Sequence, residues 1–228
     1  MTRLIAVCAL IGIAASALAG EAAKPKTLEE KISYCLGLNI GRSMKEQEVE
    51  LDLDLLMRGM RDALEGTESA MTEDEVRETM LAFQKQMKSR AAGRAKALGE
   101  KNKQEGEAFL AANGKKEGVQ TTASGLQYKV IQAGTGAVPK ATDTVSVHYR
   151  GTLLDGTEFD SSHKRGRPAE FPVNGVIKGW TEALQLMKVG AKWMVYIPSD
   201  LAYRDRGAGR LIGPNATLIF EVELLAIK

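Results

Sequence analysis

Cysteine is almost missing from the 228 residues, with only Cys8 and Cys35, and histidine is as rare, with only His148 and His163. Neither sign of charge dominates either: 31 Lys and Arg stand against 29 Asp and Glu, a formal net charge of +2. Each shortage excludes something. Two cysteines cannot build a disulfide framework. Two histidines that are not spaced as a metal pair, with no C-x-x-C and no H-E-x-x-H, leave no metal site in view. Balanced charge gives no electrostatic case for nucleic acid. The chain has no G-x-S-x-G and no P-loop. Gly207-Ala-Gly209 opens like a dinucleotide fingerprint, but Ile212 stands in the third glycine's place and a strand pattern follows, so that reading is rejected. No cofactor is expected. With 44% hydrophobic and 26% charged residues, a disordered tail, a collagen and a polytopic membrane protein are excluded as well.

Aromatics are scarce only in one half. Residues 1–118 hold Tyr34, Phe83 and Phe109, whereas residues 119–228 hold the other nine, five of the six prolines and both histidines. That asymmetry points to two architectures in one chain.

The longest apolar run is Leu4 to Ala19, preceded by Arg3 and interrupted by Ser16. It is short of the roughly 20 residues a membrane span needs, and no stop-transfer flank follows. Ala17-Leu-Ala19 has the A-x-A form that a signal peptidase reads, so residues 1–19 are expected to be a signal peptide, cleaved after Ala19 or, as second choice, after Ala17. Export to the periplasm is expected, with outer-membrane association or the cell surface as alternatives. Cleavage leaves Cys35 as the one cysteine, and its expected place is a buried position on a helix.

Residues 20–87 read as helical. Thr27-Leu-Glu-Glu30 is a capping box, and Ile32, Leu36, Ile40 and Met44 form one stripe to about Gln47. A second helix starts near Asp52, with Leu53, Leu56, Met57, Met60 and Leu64 on one face and Gly66 as its stop. Thr72-Glu-Asp-Glu75 is another capping box, opening a helix that runs to about Asn113. From Lys88 to Glu107 its only large apolar side chain is Leu98. Such a stretch is expected either to bridge domains through solvent, bending at Gly93, Gly99 and Gly106, or not to be stably formed. Residues 88–118 are therefore assigned as connecting helix and linker. Two short helices and one end of a third make a thin core, and oligomerisation is a usual remedy. A homodimer through residues 20–87 is expected.

From residue 119 the period drops to 2. Strand patterns cover Leu126–Ile131, Val145–Tyr149, Trp193–Ile197 and Leu218–Leu224, with an Asp155-Gly156 turn and one short helix between Gly179 and Met187. Residues 119–228 are expected to form an α+β domain, an antiparallel sheet wrapped over a short helix.

Within that domain stand Val147-His-Tyr149-Arg-Gly151, Phe159-Asp160-Ser-Ser162, Val176-Ile177-Lys-Gly-Trp180 and Asn215-Ala-Thr-Leu-Ile-Phe220-Glu-Val-Glu-Leu-Leu225. In colinear order these resemble the FKBP family of peptidyl-prolyl cis-trans isomerases over nearly all of residues 119–228. The helical front half resembles the dimerising domain of the Mip-like exported subgroup. The resemblance implies a proline pocket on Tyr149, Phe159, Asp160, Phe171, Val176, Ile177, Trp180, Tyr203, Ile212 and Phe220. It implies Trp180 as the floor, Tyr149, Phe159 and Phe220 as aromatic walls, and Val176, Ile177 and Ile212 as sides. It implies further that the Tyr203 hydroxyl and the Ile177 N–H hold substrate carbonyls and that Asp160 orients the wall. Catalytic roles would fall to Tyr149, Phe159, Asp160, Tyr203 and Phe220, and substrate binding to Phe171, Val176, Ile177, Trp180 and Ile212. Three positions depart from the family pattern: Ala169 replaces a second pocket phenylalanine of the small eukaryotic members, Arg204 replaces a usual glycine, and Gly213 precedes Pro214 where many members have two prolines. His163, Arg165 and Arg167 read as a solvated basic face.

The expected activity is isomerisation of X-Pro bonds in unfolded or proline-containing polypeptides, assisting the folding of exported proteins. The alternative is a dimeric holdase chaperone with weak or secondary isomerase activity. The first expectation open to test concerns the leader: protein recovered from cells should begin at Gly20, and an intact mass that retains Met1 would overturn it.

Overall fold

The computed structural model describes residues 24–228; the expected signal peptide and its cleavage site lie outside the described residues. Among the described residues no helix is long and apolar enough to cross a membrane. The chain divides into two compact units, one ending at Val76 and the other running from Arg77 to Lys228.

In the first unit, α1 (Leu28–Glu46) and α2 (Leu53–Glu65) start and stop where their polar signals stand. Thr27 and Glu30 complete a reciprocal capping box on α1, satisfying amides that no helical carbonyl can reach. The Asp52 carboxylate accepts from the Asp54 and Leu55 amides. Gly66 closes α2 at φ 68°, a left-handed value that favours glycine. Neither helix buries a residue. Ile32, Leu36 and Ile40 on α1 and Leu53, Met57, Met60 and Leu64 on α2 are all exposed. Cys35 is exposed too. The buried position expected for it is wrong, because two short helices leave no interior in which a thiol could hide.

Helix α3 (Glu73–Asn113) opens on the second capping box, with Glu75 Oε2 accepting from the Thr72 amide at 2.8 Å. The second unit carries its later turns and seven strands: β1 (Val119–Thr121), β2 (Gln127–Gln132), β3 (Thr144–Thr152), β4 (Glu158–Ser161), β5 (Ala169–Pro172), β6 (Lys192–Ile197) and β7 (Leu218–Ile227). All ladders are antiparallel, in the order β1-β2-β6-β7-β3-β4. β3 is long enough to pair β5 along its first half and β4 along its second. Strands β1, β4 and β5, of three or four residues, are too short to show a period in sequence, and they were missed.

The short helix α4 (Lys178–Leu184) lies against the sheet, burying Trp180, Ala183 and Leu184. These join Leu126, Val145, Val147, Val195, Leu218 and Leu224 in one core. Inward positions of β6 and β7 alternate with outward ones, as a sheet with one covered face requires.

The solvent-bridging expectation for the later part of α3 does not hold. Gly99, Gly106 and Asn113 are buried. Asn102 Nδ2 donates to the Pro214 carbonyl at 2.8 Å, and Gln127 Nε2 donates to the Leu110 carbonyl at 2.8 Å. Asn113 bonds Gln127 at 3.0 Å, and the Phe109 and Tyr196 rings lie 5.8 Å apart. Residues 99, 102, 106, 109, 110 and 113 share one helical face. Phe109 and Leu110 apart, that face is made of glycine and amides (Gly99, Asn102, Gly106 and Asn113), so hydropathy did not reveal most of it. Gly99 and Gly106 are places of close approach: a Cβ on Gly106 would overlap Thr217 Oγ1.

Candidate functional site

The cavity that matters opens on the α4 side of the sheet, with a volume of about 580 Å³. Tyr149, Phe159, Asp160, Phe171, Val176, Ile177, Trp180, Tyr203, Ile212 and Phe220 all line it. The ten positions singled out in sequence thus converge on one concavity from β3, β4, β5, the start of α4, the segment after β6, and β7.

Local chemistry explains how each arrives. Trp180 sits in the first turn of α4, directly after Ile177 at the N-cap. Gly179 lets that turn sit on β6, since a Cβ there would come within 2.5 Å of Ile197 Cγ2. Thr181 Oγ1 ties the turn to the Val173 carbonyl at 2.7 Å. Around Trp180 the rings of Tyr149, Phe171 and Phe220 stand nearly perpendicular, with centroids 5.1, 5.8 and 5.2 Å away. Edge-to-face contact suits the charge distribution of aromatic rings. Phe159 meets Phe220 in the same way at 5.4 Å. Gly151 makes room for both, because a Cβ there would lie 2.7 Å from each ring. Tyr149, Trp180 and Phe220 are almost wholly buried, so they serve the core and the cavity together. The Trp180 indole N–H is buried with no hydrogen-bond partner among the described residues.

One edge of the cavity is polar. The Tyr149 hydroxyl donates a short hydrogen bond to Asp160 Oδ2, and Arg165 Nη1 pairs with Asp160 Oδ1 at 2.5 Å. Arg165 Nη2 also donates to the Tyr149 hydroxyl at 2.7 Å, with its guanidinium 5.3 Å from the Tyr149 ring centre. Ser162 sets the spacing: its Oγ accepts from the Tyr149 amide at 2.8 Å, and its own amide donates to the Tyr149 carbonyl at 3.0 Å. Burial, helped by the bond to Asp160, pushes the Tyr149 hydroxyl up to about 12. Desolvation acts to raise Asp160, but the hydrogen bonds from Tyr149 and Arg165 and the Arg165 charge outweigh it and hold the carboxyl below its usual range. At neutral pH the edge is therefore a phenol, a carboxylate and a guanidinium, with no poised base.

Sequence reading missed two features here, the pairing of Arg165 and the rim residues of the loop over the cavity. Arg165, read as part of a solvated basic face, is fastened to Asp160 and Tyr149; its place five residues after Asp160 was the available signal. A tight hairpin, with Ala208 and Ile212 exchanging backbone hydrogen bonds at 2.8 and 3.2 Å, overhangs the cavity and adds Gly209, Arg210 and Leu211 to its rim. Of the two glycines set aside as a failed nucleotide motif, Gly209 lies in its turn at φ 58°, and Gly207, at φ 65°, leads into it. Arg204, at φ 53°, takes the left-handed backbone that glycine usually supplies.

Comparison with known proteins agrees with this geometry. Residues 136–225 match the family model of FKBP-type peptidyl-prolyl cis-trans isomerase, and residues 29–130 match the domain amino terminal to it. The outer membrane protein MIP of Legionella longbeachae is 44% identical over 230 residues, covering 100% of this chain and 99% of that protein. The FKBP-type 22 kDa peptidyl-prolyl cis-trans isomerase of Escherichia coli strain K12 is 50% identical over 202 residues, covering 88% and 96%. The crystal structure of FkpA from Escherichia coli superposes with a TM-score of 0.71 at 42% identity, covering 89% of this chain and 98% of that one.

The sign of the Asp160 shift predicts a pH effect. A carboxyl whose folded value is lowered contributes stability above its unfolded value, near 4, and loses it as pH falls through the folded one. The difference in thermal midpoint between wild type and Asp160→Asn should be constant from about pH 6 to 9 and shrink below about pH 4. A difference that widened on acidification would contradict this.

Proposed function

The chain belongs to the FKBP-type peptidyl-prolyl cis-trans isomerases, and from that premise we propose which residues carry the reaction and where it runs. The observation that supports the site is the ring-lined cavity with one polar edge. Trp180 is the floor on which a proline ring packs; Tyr149, Phe159 and Phe220 are walls; Phe171, Val176, Ile177 and Ile212 close the sides. The Tyr203 hydroxyl and the Ile177 amide hold the flanking carbonyls, and Asp160, with Arg165, fixes the tilt of Tyr149.

The physics of the X–Pro bond makes such a site sufficient. Rotation has a barrier of about 18–20 kcal/mol, because the planar amide has partial double-bond character. Unaided, the X–Pro bond takes tens to hundreds of seconds to interconvert, slow enough to limit folding. No bond to another atom forms or breaks, so neither nucleophile nor base is required. The planar amide owes its stability to charge separation, which water favours and a ring-lined cavity does not. Moving the bond into the cavity narrows its advantage over the twisted state, and donors placed for the twisted geometry add differential binding. The names of the relatives favour this reading over a holdase with a secondary pocket.

The substrates are proline-containing polypeptides, and the expected leader together with the outer-membrane name of the Legionella relative supports export, with the periplasm as the site of action. The exposed apolar faces of α1 and α2 support a homodimer through residues 20–87, joined to the isomerase domain by residues 88–118. A helical unit that buries nothing needs a partner, and a second copy offers matching faces. Sedimentation of the mature protein at micromolar concentration should give the mass of two chains; the mass of one would overturn the dimer.

The site is tested by a proline-limited peptide assay on the full chain. Tyr203→Phe removes one hydrogen bond and should lower kcat/KM by about two- to tenfold. Phe159→Ala opens a wall and should lower it by roughly tenfold or more. Unaltered rates in both would overturn the assignment.

A further inference from the structure

The hairpin over the cavity is held from outside the isomerase domain. Its base is strained: Arg204 and Asn215 both have left-handed backbones, at φ 53° and 54°, and the Asn215 amide donates to the Arg204 carbonyl at 2.7 Å. Non-glycine residues persist in that region only where their surroundings hold them. Here the surroundings are α3. Asn102 Nδ2 donates to the Pro214 carbonyl at 2.8 Å, and Asn215 Nδ2 donates to the Gly99 carbonyl at 3.3 Å. A Cβ on Gly99 would stand 3.1 Å from Pro214 Cβ, and one on Gly213 would stand 3.0 Å from Leu98 Cδ2. Helix and loop therefore set side chains of one against the backbone of the other, and glycine on both sides makes that approach possible. The departure at Gly213, where many relatives of the fold have proline, has its physical reason in this contact.

The tip of the hairpin has open space on both faces. Arg210 and Leu211 line the 580 Å³ cavity and also a second cavity of about 350 Å³ bounded by Leu98, Asn102 and Leu153. Ile212 packs against the core; beyond it the tip is flanked by the two cavities, which leaves its height to the hold at its base.

We propose that the α3 segment Leu98–Gly106 is a positioning element of the isomerase site, clamping Gly213–Asn215 so that Ile212 stands at the height a bound proline requires. This rests on the assignment of Ile212 to the pocket. Asn102 touches neither substrate nor reacting atoms; it acts through the hairpin. The clamp lies upstream of Val119, so the unit that binds substrate well is longer than residues 119–228. Because the clamp shapes a wall that meets ground and twisted states alike, its loss should raise KM and leave kcat in place.

The test uses the full chain. Asn102→Ala should raise KM on a proline tetrapeptide by about three- to tenfold with kcat unchanged. It should also speed amide hydrogen exchange at Ala208, Ile212 and Asn215 but not in β6 and β7. Gly106→Ala should do the same although alanine favours the helix, because its Cβ meets Thr217; adding Thr217→Ala should return KM toward wild type. Lys103→Ala, on the exposed face of the same turn, serves as the control. Faster exchange with unaltered KM would show that the hairpin's height does not matter, and unaltered exchange would show that α3 does not hold it; either overturns the proposal. Failure of the pocket assignment would show separately, in Tyr203→Phe and Phe159→Ala, which leave the clamp intact.

Discussion

Trp180 meets rings from β3, β5 and β7 edge to face, at centroid distances of 5.1 to 5.8 Å. The sheet cannot close over α4 without assembling this set of rings, and the same set forms the wall of the cavity. Burying the rings drives the domain to fold, while geometry leaves one side of them uncovered. Gly151 and Gly179 are the conditions for it, since a methyl at either would push a ring or a helix turn out of place. Stability and site are thus not separate features of this domain.

The polar edge follows from the same constraint. A tyrosine among rings needs a partner for its hydroxyl, and Asp160 supplies it, itself held by Arg165. Each group is kept in its ordinary neutral-pH form, the phenol by burial and the carboxyl by its two donors. Such a site shapes and desolvates an amide without exchanging protons with it. That agrees with a sequence that has no G-x-S-x-G, no C-x-x-C or H-E-x-x-H spacing and no excess of charge.

Much of this was legible in the sequence, and the unequal success has physical causes. Caps are local, so Thr27, Asp52, Gly66 and Thr72 marked helix ends to within a residue or so. The long strands β3, β6 and β7 showed a period; β1, β4 and β5, with three or four residues each, could not. The ten cavity residues were named from joint motifs, because a buried Trp180 or Phe220 taken singly is indistinguishable from core. Arg165 escaped because a basic residue in a polar loop reads as solvated until its partner is placed beside it. The docking of α3 escaped for a deeper reason. Hydropathy detects faces buried by apolar side chains, whereas Gly99, Asn102 and Gly106 dock by having little side chain, or an amide that bonds to backbone.

The central claim is that the amide is twisted by its surroundings and not by transfer of a proton. It is tested most directly by nuclear magnetic resonance exchange spectroscopy on a proline tetrapeptide with catalytic amounts of the full chain, run in light and in heavy water. The account predicts faster cis–trans exchange than in the peptide alone, with the same catalysed rate in both solvents. Exchange no faster than in the peptide alone, or a rate about twofold or more slower in heavy water, of the kind a rate-limiting proton transfer produces, would contradict it.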